Sequence, residues 1–171
     1  MPLKTFIEIL LLRAGPQDLP TSNALLAGCV VVLVAIQVVL GGQLMPEDKS
    51  ILPQAILSSV LTLAWVAILL RLFGKPERYT QTATALLGVA CVFAPISIPL
   101  VASIRPEIGE PVQFTPLALL AFLLSLYLIY VNARILRAAI ERPMFQCVAL
   151  FMLGELLMFL VLVTLGIGAA N

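Results

Sequence analysis

"LYLIYVNARILRAAIERPMFQCVALFMLGELLMFLV", residues 126 to 161, decides the fold. Two apolar stretches flank a short basic turn, and Pro143 stands where the first stretch would have to continue as helix. Proline lacks the amide donor and disfavours helix in the residue before it, so the chain turns at Arg142–Pro143 and returns antiparallel. A membrane-spanning helix needs about 20 mostly apolar residues. Both sides of the turn supply them, over residues 116 to 141 and 144 to 168.

The same criterion selects three more spans upstream, about residues 23 to 45, 52 to 73 and 80 to 104. The links "GGQLMPEDKS", "GKPERYT", "RPEIGEPVQFTP" and "ERP" are short and carry helix breakers, so neighbours in sequence run antiparallel. The whole chain of 171 residues is 61% hydrophobic and 11% charged, with mean hydropathy +1.11, which leaves too little polar surface for a soluble domain. The expected fold is all-α: a polytopic membrane domain over residues 1–171, with five transmembrane helices and a short N-terminal interfacial amphipathic helix.

Charge placement sets the expected orientation. Lys4 and Arg13 precede the first span, Arg71, Lys75 and Arg78 join the second to the third, and Arg134, Arg137 and Arg142 join the fourth to the fifth, eight of the ten Lys and Arg. Lys49 and Arg105 lie in the other links, beside Glu47, Asp48, Glu107 and Glu110. The positive-inside rule then predicts a bacterial cytoplasmic (inner) membrane protein with its N-terminus in the cytoplasm and its C-terminus outside. The basic rim of Arg71, Lys75, Arg78, Arg137 and Arg142 is first an orientation signal and second a surface for anionic lipid or an acidic partner.

Residues 1–15 are too short to span. Lys4, Thr5 and Glu8 share one face, while Phe6, Leu10 and neighbouring leucines fill the rest, before Gly15 and Pro16 end the helix. Both a helix lying in the interface and a helix packed on the bundle satisfy this pattern. Thr21, Ser22 and Asn23 are candidate caps for the first span.

Two intramembrane features stand out. Pro95 and Pro99 in "APISIPL" remove the donors to the carbonyls of Cys91 and Pro95, which predicts a helix break at Pro95, Ser97 and Pro99, shielded by neighbours. It serves either as a static kink or as the lining of a gate. Glu155 is a lone acid in an apolar run. A bare carboxylate at mid-membrane is costly, so Glu155 is protonated or paired. On the preceding span Tyr127, Tyr130, Arg134 and Arg137 follow offsets of three, four and three and share a helix face. Counted back from the turn, Glu155 is level with Tyr130 and Tyr127, with Arg134 about one turn nearer the cytoplasm. The expected polar cluster is Glu155, Tyr127, Tyr130, Arg134 and Gln37. Gly154 permits a close approach by another backbone. The cluster reads either as a clasp that fixes helix register or as a cation or proton site.

Little else carries chemistry. The chain has no histidine, and Cys29, Cys91 and Cys147 are widely spaced, expected to be buried and reduced. There is no nucleophile elbow, zincin motif or phosphate loop, so no catalytic residue, metal or cofactor is expected. A net charge of +1 gives no bulk attraction for nucleic acid.

"RYTQTATALLGVACVFAPISIPL" and "LYLIYVNARILRAAIERPMFQCVAL" resemble the third span and the fourth-to-fifth span unit of the YIP family of five-span membrane proteins, in the compact form of its bacterial members. The resemblance implies a non-enzymatic scaffold or lipid- and partner-binding module, with membrane lipids and a membrane-protein partner or a second copy as its contacts. The alternative expectation is a small transporter or channel subunit that uses the cluster around Glu155.

Overall fold

Hydrocarbon offers no hydrogen-bond partner to a peptide group, so a chain this apolar must satisfy its amides inside helices. The computed structural model describes residues 2–44, 51–104 and 115–165 and is built from helices, with no strand among those residues. A short helix α1 (Pro2–Leu10) leads through a 3-10 turn (Pro16–Asp18) to five long helices. These are α2 (Asn23–Leu44), α3 (Ile51–Leu72), α4 (Tyr79–Ile104), α5 (Pro116–Ile140) and α6 (Met144–Thr164), with a second 3-10 turn (Pro76–Arg78) before α4. All five are long and apolar enough to cross a bilayer. The chain is a multi-pass membrane protein.

Local chemistry sets the ends. Ser22, one of the three expected caps, accepts the Leu25 amide at 3.3 Å. Thr115 caps α5 by accepting the Ala118 amide at 3.1 Å, with Pro116 in the first turn where its missing donor costs nothing. Helix α3 closes on Gly74 at φ +68, with the Lys75 amide reaching back to the Leu70 carbonyl at 2.7 Å. Helix α5 stops one residue short of the expected end, because Glu141 adopts a left-handed conformation with φ 55. The expected ends of the first and last spans, and the loop charges Glu47, Asp48, Lys49, Arg105, Glu107 and Glu110, lie outside the described residues.

The five long helices close into a ring: α2 packs on α3 and α4, α4 on α5, α5 on α6, and α6 back on α3. Helix α4 is the most deeply packed, and every residue from Thr82 to Val89 is buried. Its run of Thr, Ala and Gly lets α2 and α1 approach closely. Thr82 and Thr84 donate their hydroxyls to the carbonyls of Arg78 and Thr80, so neither brings an unmatched polar atom into the core. Cys29, Cys91 and Cys147 are free thiols.

Helix α1 packs on the bundle, one of its two sequence readings, and keeps an exposed apolar stripe. Phe6 and Ile9 are buried against the bundle, and the Phe6 ring occupies the space where Gly88 lacks a side chain. Leu3, Ile7 and Leu11, at steps of four, remain exposed as an apolar stripe, while Lys4 pairs with Glu8 at 3.6 Å.

The expected break in the third span is corrected. Helix α4 runs without interruption from Tyr79 to Ile104 with Pro95 and Pro99 inside it. Each proline removes only the single bond to the carbonyl four residues before it, and the remaining bonds carry the helix through. Pro95 is exposed rather than shielded, and Ser97 donates to Ala94 at 3.4 Å, within its own turn.

At the end of the bundle that carries the basic links, Arg78 donates to the carbonyls of Ala138 and Ala139 at 3.0 and 3.1 Å, satisfying the last turn of α5. It also pairs with Glu141 at 2.7 Å, and Lys75 meets the other carboxylate oxygen at 3.3 Å. The Arg78 hydrogen bond, then that of Lys75, holds the Glu141 carboxyl below the ordinary carboxylate range. A depressed pKa contributes stability that is present above the unfolded value and lost as pH falls through the folded value. Glu141→Gln is therefore expected to lower the thermal midpoint at neutral pH, and the difference from the parent protein should vanish on acidification below the carboxylate range. Gly88→Val is expected to displace Phe6 and expose the bond after Arg13 to trypsin, and Phe6→Ala in the same chain should restore resistance. Thermal scans and timed digestion check the two.

Candidate functional site

The ring of helices is not filled to its centre. A cavity of about 640 Å³ lies between all five long helices. Its walls combine apolar side chains such as Leu33, Phe93 and Leu136 with a polar set: Gln37 from α2, Ser58, Ser59 and Thr62 from α3, Ser97 from α4, Ser125 and Asn132 from α5, and Glu155 from α6. Glu155 stands eleven residues beyond the start of α6 and Asn132 eight before the end of α5, about 16 and 12 Å from those helix ends. The cavity is a mid-membrane site.

Its hydrogen-bonding character follows from where the protons point. Each hydroxyl has one proton, and each lining hydroxyl spends it on its own helix. Ser58 and Ser59 donate to Ala55 at 3.2 and 2.8 Å, Thr62 to Ser58 at 2.8 Å, Ser97 to Ala94 at 3.4 Å and Ser125 to Ala121 at 2.8 Å. What these groups retain are lone pairs. The Trp65 indole N–H is likewise spent, on the Leu150 carbonyl at 3.2 Å. Oδ1 of Asn132, whose residue is 8% exposed, is a buried acceptor with no partner among the described residues. Glu155, an exposed residue on the cavity wall, has no cationic side chain within ion-pair distance and no hydrogen-bond donor among them. The cavity presents acceptors and the Glu155 carboxyl, with the amides of Gln37 and Asn132 as its remaining donors.

The structure divides the predicted cluster. Glu155 and Gln37 share this cavity, joined by Ser97 of the expected helix break, whereas Tyr127, Tyr130 and Arg134 do not line it. Tyr127 donates to the Leu10 carbonyl at 2.6 Å, which ties α5 to α1, and Tyr130 is exposed. Arg134 and Arg137 line a second cavity beside α1. The depth estimate from the turn does not fix rotation about the helix. Tyr127 lies five residues from Asn132, about 140° around α5, and Arg134 lies two away, about 160° around. The face carrying the tyrosines and arginines therefore turns from the ring centre toward α1. Of the basic rim, Lys75 and Arg78 are tied to Glu141, Arg142 sits over the Phe73 ring at 5.3 Å, and Arg71 is exposed in the last turn of α3.

Sequence reading missed Asn132 and Ser125. Their spacing of seven residues puts them on one face of α5, and that repeat was the available signal. The close approach at Gly154 is made by the Trp65 side chain rather than by another backbone. Trp65→Phe removes the donor to Leu150 and is expected to cost about 1 kcal/mol. Gly154→Ala places a methyl where the indole rests and is expected to shift the emission of this sole tryptophan, a change read directly by fluorescence.

No family model, no curated protein and no solved structure matches the chain.

Proposed function

We propose that this protein is a small transporter or channel subunit whose substrate site is the central cavity, and that the substrate is a small molecule bearing an ammonium or guanidinium group. The observation that carries the reading is the acceptor-lined cavity reaching Glu155, with the orphaned Oδ1 of Asn132 in its wall. A buried acceptor without a donor costs roughly 1–3 kcal/mol, and a carboxylate in hydrocarbon more. A cationic donor offsets both penalties at once. The volume of about 640 Å³ falls in the range of small-molecule sites and exceeds what a packed clasp leaves open.

A second reading, a non-enzymatic scaffold or lipid- and partner-binding module, draws on a different part of the molecule. Its support is the apolar stripe of Leu3, Ile7 and Leu11 on α1, placed to enter the interfacial layer. In either case we place the chain in a bacterial inner membrane with the N-terminus inside, because Lys75, Arg78, Arg137 and Arg142 gather at one end of the bundle.

The cavity reading is tested with the full chain in lipid nanodiscs. Trp65 lines the site, so its emission reports occupancy. Titration with methylammonium, guanidinium and longer primary amines is expected to give saturable changes. Glu155→Gln should weaken the response by about tenfold or more, since a charge-assisted pair is worth roughly 1.5–3 kcal/mol. Uncharged isosteres should give no response. Unchanged amine binding in Glu155→Gln, or no amine flux into vesicles carrying the parent protein, would count against it.

A further inference from the structure

The second cavity, about 740 Å³, lies between the α1–α2 segment and the α5–α6 turn. Four arginines line it: Arg13 after α1, Arg134 and Arg137 on α5, and Arg142 in the turn. Two carboxylates also line it, and both are already engaged. The Oδ2 of Asp18 accepts the Gly15 amide at 2.8 Å, and Glu141 is held by Arg78 and Lys75, which do not line the cavity. Arg142 is occupied by its stacking on Phe73. Arg13, Arg134 and Arg137 have no carboxylate within 4.0 Å among the described residues, so three guanidiniums line one cavity without an ion-pair partner.

The depth of the cavity identifies what supplies that charge. Helix α5 has 25 residues, about 37 Å, against a hydrocarbon core of about 30 Å. Its last turns therefore project into the headgroup layer, and Arg134 and Arg137 lie six and three residues from the end. Apolar residues, Ile9, Val131 and Ile135, share the lining with the guanidiniums. A lining that mixes arginines with apolar residues suits an amphiphile better than a free ion. Planar guanidinium forks bind phosphate oxygens in pairs, which a single ammonium does not.

We propose that this cavity binds the phosphodiester of an anionic phospholipid, with Arg13, Arg134 and Arg137 as its ligands and the acyl chains running along the exposed α1 stripe. The assignment gives the lipid-binding reading of α1 a defined headgroup site, rests on that reading, and is independent of the central cavity.

The test uses the full chain purified in detergent. Native mass spectrometry and thermal scans are run with added phosphatidylglycerol, phosphatidylcholine and, separately, inorganic phosphate. The expected result is retention of phosphatidylglycerol in preference to phosphatidylcholine by about tenfold or more, with a raised thermal midpoint. Arg134→Gln with Arg137→Gln should abolish the preference, while Arg71→Gln, an exposed arginine outside the cavity, should keep it. Equal retention of the two lipids, or a preference that survives the double variant, overturns the proposal. An equal rise in midpoint with inorganic phosphate alone overturns the lipid as the source. Leu3→Ser with Ile7→Ser and Leu11→Ser tests the α1 reading by itself: it should lower retention of both lipids alike and leave their ratio intact.

Discussion

Hydrocarbon solvates no polar atom, and the arrangement of this protein follows from how each polar group meets that constraint. The backbone meets it by helix formation. The lining hydroxyls meet it by folding their protons onto carbonyls three or four residues back. Trp65 meets it by reaching across from α3 to a carbonyl of α6, filling the notch that Gly154 leaves. Asn132 Oδ1 is a buried acceptor without a donor among the described residues, Glu155 has no donor either, and both line the space between the helices. Apolar side chains at those two positions would make a more stable ring. Keeping polar groups there has a thermodynamic cost that a bound donor would offset.

Much of the fold was legible because spans are set by one-dimensional quantities. Length, hydropathy and breaker position located five helices within a few residues of their observed bounds, and Ser22 was among the caps expected. The site was less legible because it depends on rotation about helix axes. Counting from the turn at Arg142–Pro143 brought Glu155 level with the tyrosines of α5, but depth alone does not say which face of α5 meets the ring. The repeat of Ser125 and Asn132 carries that information. It was masked by the more conspicuous stripe of Tyr127, Tyr130, Arg134 and Arg137, whose shared face was identified and whose destination was not. The prolines of α4 show the converse error: a strong local signal for a break was outweighed by the many hydrogen bonds on either side.

Helix α5 emerges as a wall with two chemistries. One face carries Ser125 and Asn132 toward the central cavity, and the other carries Arg134 and Arg137 toward α1, with Tyr127 binding the Leu10 carbonyl between the two helices. The separation keeps opposite charges apart. Had α5 been rotated to bring Arg134 to Glu155, the pair would have been an ion pair in hydrocarbon, where desolvation offsets most of the attraction. Arg134 would also have been drawn away from the headgroup layer, where a long cationic side chain is solvated at little cost. Leaving the two unpaired puts the acid on the wall of the central cavity and the guanidiniums beside α1 at the end of the bundle that carries the basic links. A tyrosine hydroxyl on a backbone carbonyl then suffices to hold α1 against the wall that divides them.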